Sequence, residues 1–162
     1  MSEITTRQAT KADATAMCRL INAIIAKGGS TAHKTSFDAE RMTSHYIENP
    51  RSVACTVALD GTEIVGFQNL ESADPNWTGA EKLPEDWGII ASFVAEGQQG
   101  KGIGKHLFTA TLAAAKAADI RNIDATIRKY NTSGLAYYGG LGFVDYREDD
   151  LSVSKKLTVP TN

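Results

Sequence analysis

The chain has 162 residues, 42% hydrophobic and 22% charged, with a formal net charge of -2 at pH 7, which suits one domain over residues 1–162 with a substantial core. This weak negative charge argues against nucleic acid as a main partner, because phosphate binding depends on clustered Lys and Arg. No apolar run is long enough for a membrane span and no signal-peptide pattern opens the chain, so we expect a cytoplasmic protein without a membrane partner.

The first segment, residues 7–14, leads into a predicted helix. Thr10 is a typical N-cap residue, and Asp13 follows it at capping-box spacing. The helix has one apolar face and ends at Gly28-Gly29, as a glycine C-cap predicts. We interpret that face as core, and it comprises Ala14, Met17, Leu20, Ile21 and Ile24.

The next segments predict a second helix and a hairpin. The helix covers about residues 38–48 and is ended by Asn49-Pro50. Residues 53–59 and 63–69 flank Asp60-Gly61, a strong signal for two antiparallel strands. Cys18 and Cys55 show neither CxxC nor metal-ligand spacing, so we predict buried thiols and no metal site.

A long loop, residues 72–86, connects the third and fourth predicted strands. Loops of this length in a compact domain are often functional. Trp77 has two interpretations: it lines a substrate pocket, or it covers the sheet edge without touching substrate. The sequence leaves both open.

A glycine-rich loop follows the fourth strand, residues 89–94, and opens a helix over residues 103–116. Such a loop presents backbone N–H groups at the positive end of a helix, which suits a phosphate or pyrophosphate. Its spacing fits neither the dinucleotide fingerprint nor the P-loop. It fits [Q/R]-x-x-G-x-[G/A] at Gln99, Gly102 and Gly104, directly after the strand that ends in Phe93-Val94. We therefore predict a phosphorylated cofactor.

A second motif follows a short predicted strand at residues 123–127, which completes a right-handed crossover. Residues 131–143 read NTSGLAYYGGLGF and fit N-x-x-[A/G]-x-x-[F/Y]-Y-x-x-x-G-F. In this order, the two motifs resemble motifs A and B of the GNAT N-acetyltransferase superfamily. The resemblance covers most of the chain and is sharpest over residues 87–143. The opening and residues 28–37 resemble the phosphinothricin acetyltransferase-like branch.

The resemblance implies an α/β (α+β) fold. We expect a central mixed, mostly antiparallel sheet of six to seven strands, flanked by about four helices, with a cofactor cleft between the fourth and fifth strands. The chain is expected to close with residues 141–144 and a strand over residues 151–157, whose alternation suits a half-exposed edge. Relatives are often dimers, which makes a homodimer an expectation.

The resemblance also implies acetyl-CoA as cosubstrate and assigns its binding residues. They are Phe93, Val94, Gln99, Gly100, Lys101, Gly102, Ile103, Gly104, Lys105, Asn131 and Tyr138. Tyr138 aligns with a tyrosine placed near the coenzyme A sulfur in relatives. An ordinary phenol has a pKa of about 10, so Tyr138 is protonated at neutral pH and can donate to a leaving thiolate.

Two more residues receive roles, each with its alternative. Asn131 matches an asparagine that contacts the cofactor in relatives, and its alternative role is to cap the following helix. The amide of Val94 is the expected donor to the thioester carbonyl, since a splayed strand would leave it unpaired. Tyr137 would point elsewhere than Tyr138, because adjacent helical residues lie about 100° apart.

The general base is left open. Many relatives carry a glutamate on the fourth strand, but Gly88 stands at that position and residues 89–94 contain no carboxylate. Asp86, Glu71, His33 or a bound water remain. We expect an acetyl-CoA-dependent N-acetyltransferase that acts on the primary amine of a small molecule, such as an amino acid, by direct transfer in a ternary complex. The alternative is an acyl-CoA-binding sensor or regulatory module without turnover.

Overall fold

A seven-stranded sheet runs through the computed structural model, which describes residues 3–161. Its strands are β1 (Ile4–Gln8), β2 (Ser52–Asp60), β3 (Glu63–Ser72), β4 (Trp87–Val94), β5 (Asn122–Arg128), β6 (Val144–Glu148) and β7 (Ser152–Thr158). They lie in the order β1-β2-β3-β4-β5-β7-β6. Every neighbouring pair is antiparallel except β4 with β5, so the expected mixed, mostly antiparallel sheet is confirmed.

The helices cover the sheet from both sides. They are α1 (Ala14–Lys27), preceded by a 3₁₀ turn (Lys11–Asp13), α2 (Ala39–Met42), continued by a π-helical turn (Thr43–Ile47), α3 (Ile103–Ala117) and α4 (Thr132–Gly140). Phe67 and Phe93 pack with α1 and α2 in one apolar cluster, on what we call the α1 face of the sheet. Side chains of α3 and α4 pack against the opposite side, the α3 face.

The start of the chain follows its capping signals. The N–H of Thr10 donates to Asp13 Oδ2 at 2.8 Å, and Arg7 Nη1 lies 2.8 Å from the same oxygen. The 3₁₀ turn intervenes before α1, and α1 ends at Gly28, whose φ of 72° lies in the left-handed region that favours glycine. Four of the five predicted core residues are buried, and Ile24 packs against them half-buried.

The hairpin and the cysteines are as predicted. Asp60 pairs with Glu63, and Gly61 in the connecting turn has a φ of 64°. Cys18 and Cys55 are both free and buried.

The strand predicted over residues 151–157 is confirmed as β7 (Ser152–Thr158), but its predicted position at the edge of the sheet is wrong. β7 is not an edge strand, because it lies between β5 and β6, and β6 begins only at Val144 while Leu141 caps the end of α4. The alternation of residue types does not appear as alternating exposure, because Ser152, Val153 and Ser154 are all buried. Side chains of α3 and α4 cover one face of this end of the sheet.

Candidate active site

The site is organised by a gap between two central strands. β4 and β5 pair only where Trp87–Ile89 lies beside Asn122–Asp124. Beyond these residues the strands diverge, and a cleft of about 540 Å³ opens between them. The second half of β4, the glycine loop, the start of α4 and the loop after α1 line it. The cleft expected between the fourth and fifth strands is therefore confirmed.

The backbone of β4 presents hydrogen-bond donors to this cleft. The N–H of Ala95 donates to the carbonyl of Val65 at 2.9 Å, so it points toward β3. Donors alternate along a strand, which directs the N–H groups of Val94 and Ser92 away from β3. β5 does not pair with β4 at these two positions. The N–H of the predicted donor Val94 therefore faces the gap. The N–H of Ser92, two residues earlier in β4 and closer to the fork between β4 and β5, also faces it.

The glycine loop forms the far end of the cleft. Gly100 and Gly102 have φ values of 83° and 76°, conformations that favour glycine, and Gly102 is the N-cap of α3. Of the residues predicted to bind cofactor, all line the cleft except Lys101, whose Nζ lies 2.9 Å from Gln98 Oε1. The helix N-terminus, with Lys105 beside it, is suited to a phosphate.

Gly104 has a separate reason to be glycine. A Cβ at this position would lie 2.5 Å from Cε1 of Tyr137. Without it, the tyrosine ring packs against the first turn of α3, and its hydroxyl donates to the carbonyl of Gly104 at 2.7 Å. Motif A and motif B are therefore in direct contact.

A buried polar network connects the cleft to the sheet. Gln68 is fully buried, with 0% of its surface exposed. Its Nε2 lies 2.8 Å from Ser92 Oγ and 3.0 Å from the hydroxyl of Tyr137. Its Oε1 accepts from Thr111 Oγ1 at 2.5 Å. Tyr137 gives its one proton to Gly104, so it can only accept from Gln68, which fixes the amide orientation. Ser92 consequently also accepts from Gln68.

Ser92 connects this network to Tyr138. The hydroxyls of Tyr138 and Ser92 lie 2.7 Å apart, and either can be the donor, because a serine oxygen that accepts from Gln68 has a second lone pair. When Ser92 is the donor, the phenolic proton of Tyr138 is free for a group in the cleft. Burial raises the pKa of Tyr138, which keeps the hydroxyl protonated and able to donate.

Asn131 lines the cleft and serves as the N-cap of α4. Its Oδ1 accepts from the N–H of Gly134 at 3.0 Å, and its Nδ2 donates to the carbonyl of Ser30 at 2.9 Å. Tyr130 makes a second link from its hydroxyl to the carbonyl of Thr31, at 3.3 Å. The capping alternative is thus observed, and the asparagine also ties α4 to the loop after α1.

The three candidate bases are not among the residues that line the cleft, and neither are Asp124 and Thr126 of β5. Asp86 is exposed and precedes β4, so about eight strand residues, roughly 25 Å, separate it from Val94. Glu71 is held by Asn49 Nδ2 at 2.9 Å and Arg51 Nη2 at 3.3 Å. His33 contacts the Tyr46 hydroxyl through Nε2 at 2.8 Å, and burial lowers its pKa.

Trp77 is also apart from the cleft. It is 52% exposed, and its Nε1 donates to the carbonyl of Ala80 in its own loop at 3.0 Å.

Sequence reasoning missed Gln68, Ser92 and a buried carboxylate, Asp124. Asp124 is 3% exposed on β5, where it accepts hydrogen bonds from the Tyr146 hydroxyl and from Thr126 Oγ1. Burial raises the pKa of this carboxyl. The available signal was an acidic residue within the apolar segment 123–127, since carboxylates are rarely buried without a partner.

Comparison with known proteins agrees with this architecture. Residues 20–143 match the acetyltransferase (GNAT) family, and the chain belongs to that family. A search of curated proteins found no significant match. Within residues 3–161, none of the helices combines the length and apolar character that a membrane crossing requires.

Solved structures of similar fold include three acetyltransferase-type proteins. An N-acetyltransferase from Staphylococcus aureus Mu50 superposes with a TM-score of 0.81 at 19% identity, over 98% of this chain and 100% of the other. A putative acetyltransferase from Salmonella typhimurium, solved with its cofactor acetyl-CoA, superposes with a TM-score of 0.80 at 16% identity, over 98% of this chain and 95% of the other. A GNAT superfamily phosphinothricin acetyltransferase from Sinorhizobium meliloti in complex with AcCoA superposes with a TM-score of 0.78 at 21% identity, over 98% of this chain and 89% of the other. At these identities the likeness establishes the fold.

Proposed function

We propose that this chain transfers the acetyl group of acetyl-CoA to the primary amine of a small molecule, such as an amino acid, by direct attack in a ternary complex. One observation carries the proposal: the hydroxyl-bearing side chain of Tyr138 lines a gap where β4 presents backbone donors. A thioester needs both, a donor for the oxyanion and an acid for the leaving sulfur.

The cofactor assignment is supported by the fit between the cleft and an extended phosphorylated thioester. The N-terminus of α3 and its glycine loop suit the pyrophosphate, and Lys105 and Lys27 add positive charge along the cleft. Two solved structures of the same fold contain acetyl-CoA. Phe93, Val94 and Asn131 would contact the arm of the cofactor, and Gln99 to Gly104 its phosphates.

The role of the amide donor is best divided between two residues. Val94 N–H faces the gap as predicted, but Ser92 N–H lies deeper and belongs to the residue whose hydroxyl contacts Tyr138. We assign the thioester carbonyl to Ser92 N–H and the neighbouring part of the cofactor arm to Val94 N–H. This places the oxyanion donor and the acid on adjacent groups.

The test is release of free thiol from acetyl-CoA with a panel of amino acids, polyamines, aminoglycosides and acceptor peptides. Calorimetric titration with acetyl-CoA runs beside it. Turnover with a small amine supports the proposal. Tight acetyl-CoA binding without turnover on any acceptor would favour the sensor alternative, and absence of binding would overturn the cofactor assignment.

A further inference from the structure

The side of the gap opposite Tyr138 is open to solvent. Ile123, Ala125 and Ile127 of β5 pack toward α3 and α4, so Asp124 and Thr126 project from the α1 face. Thr126 is exposed although it lies within a central strand, and Ala91 across the gap is partly exposed. Ala91 also packs against the α1 cluster, so the exposed residue on this face is Thr126. An acceptor amine can reach Thr126 from the α1 face.

The strand register, when it is continued past the fork where β4 and β5 diverge, sets Thr126 level with the reacting position. The last parallel pair is Ile89 with Asp124, and continuing this register sets Thr126 opposite Ala91, next to Ser92. Ser92 contacts the hydroxyl of Tyr138. Thr126 therefore lies on the α1 face and Tyr138 on the α3 face at a similar level of the sheet, although Thr126 is not among the residues that line the cleft.

The hydrogen bonds of Thr126 leave one acceptor position open. Its Oγ1 lies 3.0 Å from Asp124 Oδ2 and 2.9 Å from Ser154 Oγ. An ionised carboxylate only accepts, so Thr126 gives its single proton to Asp124 and accepts the proton of Ser154. One lone pair of the threonine oxygen remains for a new donor, and the residue is exposed. An amine N–H on the α1 face can fill it.

From this geometry we infer that the acceptor amine loses its proton through the hydroxyl of Thr126 to the carboxylate of Asp124. The inference rests on the proposed acetyl transfer. Asp124 thereby supplies, from β5, the carboxylate that β4 lacks. As the N–C bond forms, the amine proton passes to Thr126 Oγ1, and the proton of Thr126 passes to Asp124 Oδ2. The C–S electron pair goes to sulfur, which takes the proton of Tyr138, and exchange with solvent restores Tyr138 and Asp124.

The surroundings of Asp124 make it a stronger base than an ordinary carboxylate. Desolvation dominates and raises its pKa, while the hydrogen bonds from Tyr146 and Thr126 oppose this effect. Burial is the main cause of the raised pKa of Tyr138, and the charge of Asp124 is a smaller contribution. The titratable and charged groups of the elements around it are Tyr146, Arg147, Lys156, Glu81 and Tyr138.

The first test compares two substitutions of Thr126 in a steady-state thiol-release assay with an amine that the wild type acetylates. Thr126→Val removes the relay and is expected to lower kcat by about 10²-fold or more, the usual range for general base catalysis. Thr126→Ser keeps a hydroxyl and should stay within a few-fold of wild type. Thr158→Val is the matched control, because Thr158 bonds Asn122 at the far end of β7. The KM for acetyl-CoA should change little in all three.

The second test uses the pH dependence of kcat/KM. In the wild type, activity should rise with pH as Asp124 loses its proton, and this limb should disappear in Asp124→Asn. A rise of activity with pH can also come from deprotonation of the amine substrate. Amines of different pKa separate the two causes, because a rise caused by the substrate shifts with the pKa of the amine, whereas a rise caused by Asp124 does not. Thermal denaturation of each variant tests whether it is folded.

These outcomes distinguish the inference from the proposed function. If the wild type acetylates an amine and folded Thr126→Val and Asp124→Asn are equally active, the relay is wrong and the acetyltransferase proposal stands. If the wild type binds acetyl-CoA and acetylates no amine, the proposed function itself fails. Loss of activity in Thr126→Ser equal to that in Thr126→Val would also contradict the relay.

Discussion

Replacement of Tyr138 by Phe tests the acid assignment with the smallest change available. The ring keeps its packing against Phe143, whose centroid lies 5.2 Å away, and only the hydroxyl is lost. Loss of a general acid lowers rates by about 10²- to 10⁴-fold, which corresponds to roughly 3 to 5 kcal/mol of transition-state stabilisation. We expect kcat to fall in this range.

The same substitution should cost far less in folding. Tyr138 has one hydrogen bond, at 2.7 Å to Ser92, and Ser92 keeps its bond from Gln68 in the variant. Loss of one such bond costs about 1 kcal/mol, or somewhat more if the serine proton is left unpaired. Acetyl-CoA affinity should change little, since the phosphate site lies at the glycine loop.

The assay is thiol release at saturating acceptor, with calorimetric binding of acetyl-CoA and thermal unfolding measured on the same preparation. Tyr137→Phe is the comparison variant. It removes a hydroxyl that bonds both Gly104 and Gln68, so we expect a larger loss of stability and a much smaller loss of kcat than for Tyr138→Phe. A Tyr138→Phe protein with wild-type turnover would refute the reasoning.

Two further predictions concern stability and the glycine contact. Gly104→Ala places a Cβ 2.5 Å from the ring of Tyr137, so it should raise the KM for acetyl-CoA and lower Tm. In the control variant Gly139→Ala the new Cβ meets nothing within 4 Å, so Tm should stay unchanged or rise. Thermal unfolding and steady-state kinetics measure these effects. The hydrogen-bonded ion pair with Arg7 holds the pKa of the Asp13 carboxyl below its usual range. The stability that this pair adds to the folded protein is present above the unfolded pKa of about 4 and is lost as pH falls through the folded pKa. Asp13→Asn should therefore lower Tm at pH 7 and have a smaller effect near pH 2; an equal loss at both would contradict the linkage.

Features fixed by local geometry were predictable from the sequence. Gly28, Gly61 and Gly102 have left-handed backbone conformations, and their positions marked the helix end, the hairpin and the start of α3. Gly104 and Gly134 are small because Tyr137 and Asn131 approach them closely. Each of these constraints acts on a particular glycine, so the spacing of the glycines in the sequence predicts where it applies.

Features that depend on which strands become neighbours were not predictable. The alternation over residues 151–157 indicated an edge strand, but β7 lies between β5 and β6 and its buried residues, Ser152 to Ser154, are consecutive. Gln68 and Ser92 form a network only because β3 and β4 pair in register. Asp124 stands at the fork of β4 and β5, and its position there follows from their parallel register.

Initial rates measured while acetyl-CoA and an acceptor amine are varied together test the central claim most directly, with the N-acetylated product identified by mass spectrometry. Direct attack in a ternary complex predicts double-reciprocal lines that intersect and a product carrying one acetyl group on nitrogen. Parallel lines, which indicate an acetylated enzyme, or the absence of acetylated product with any amine, would contradict the account.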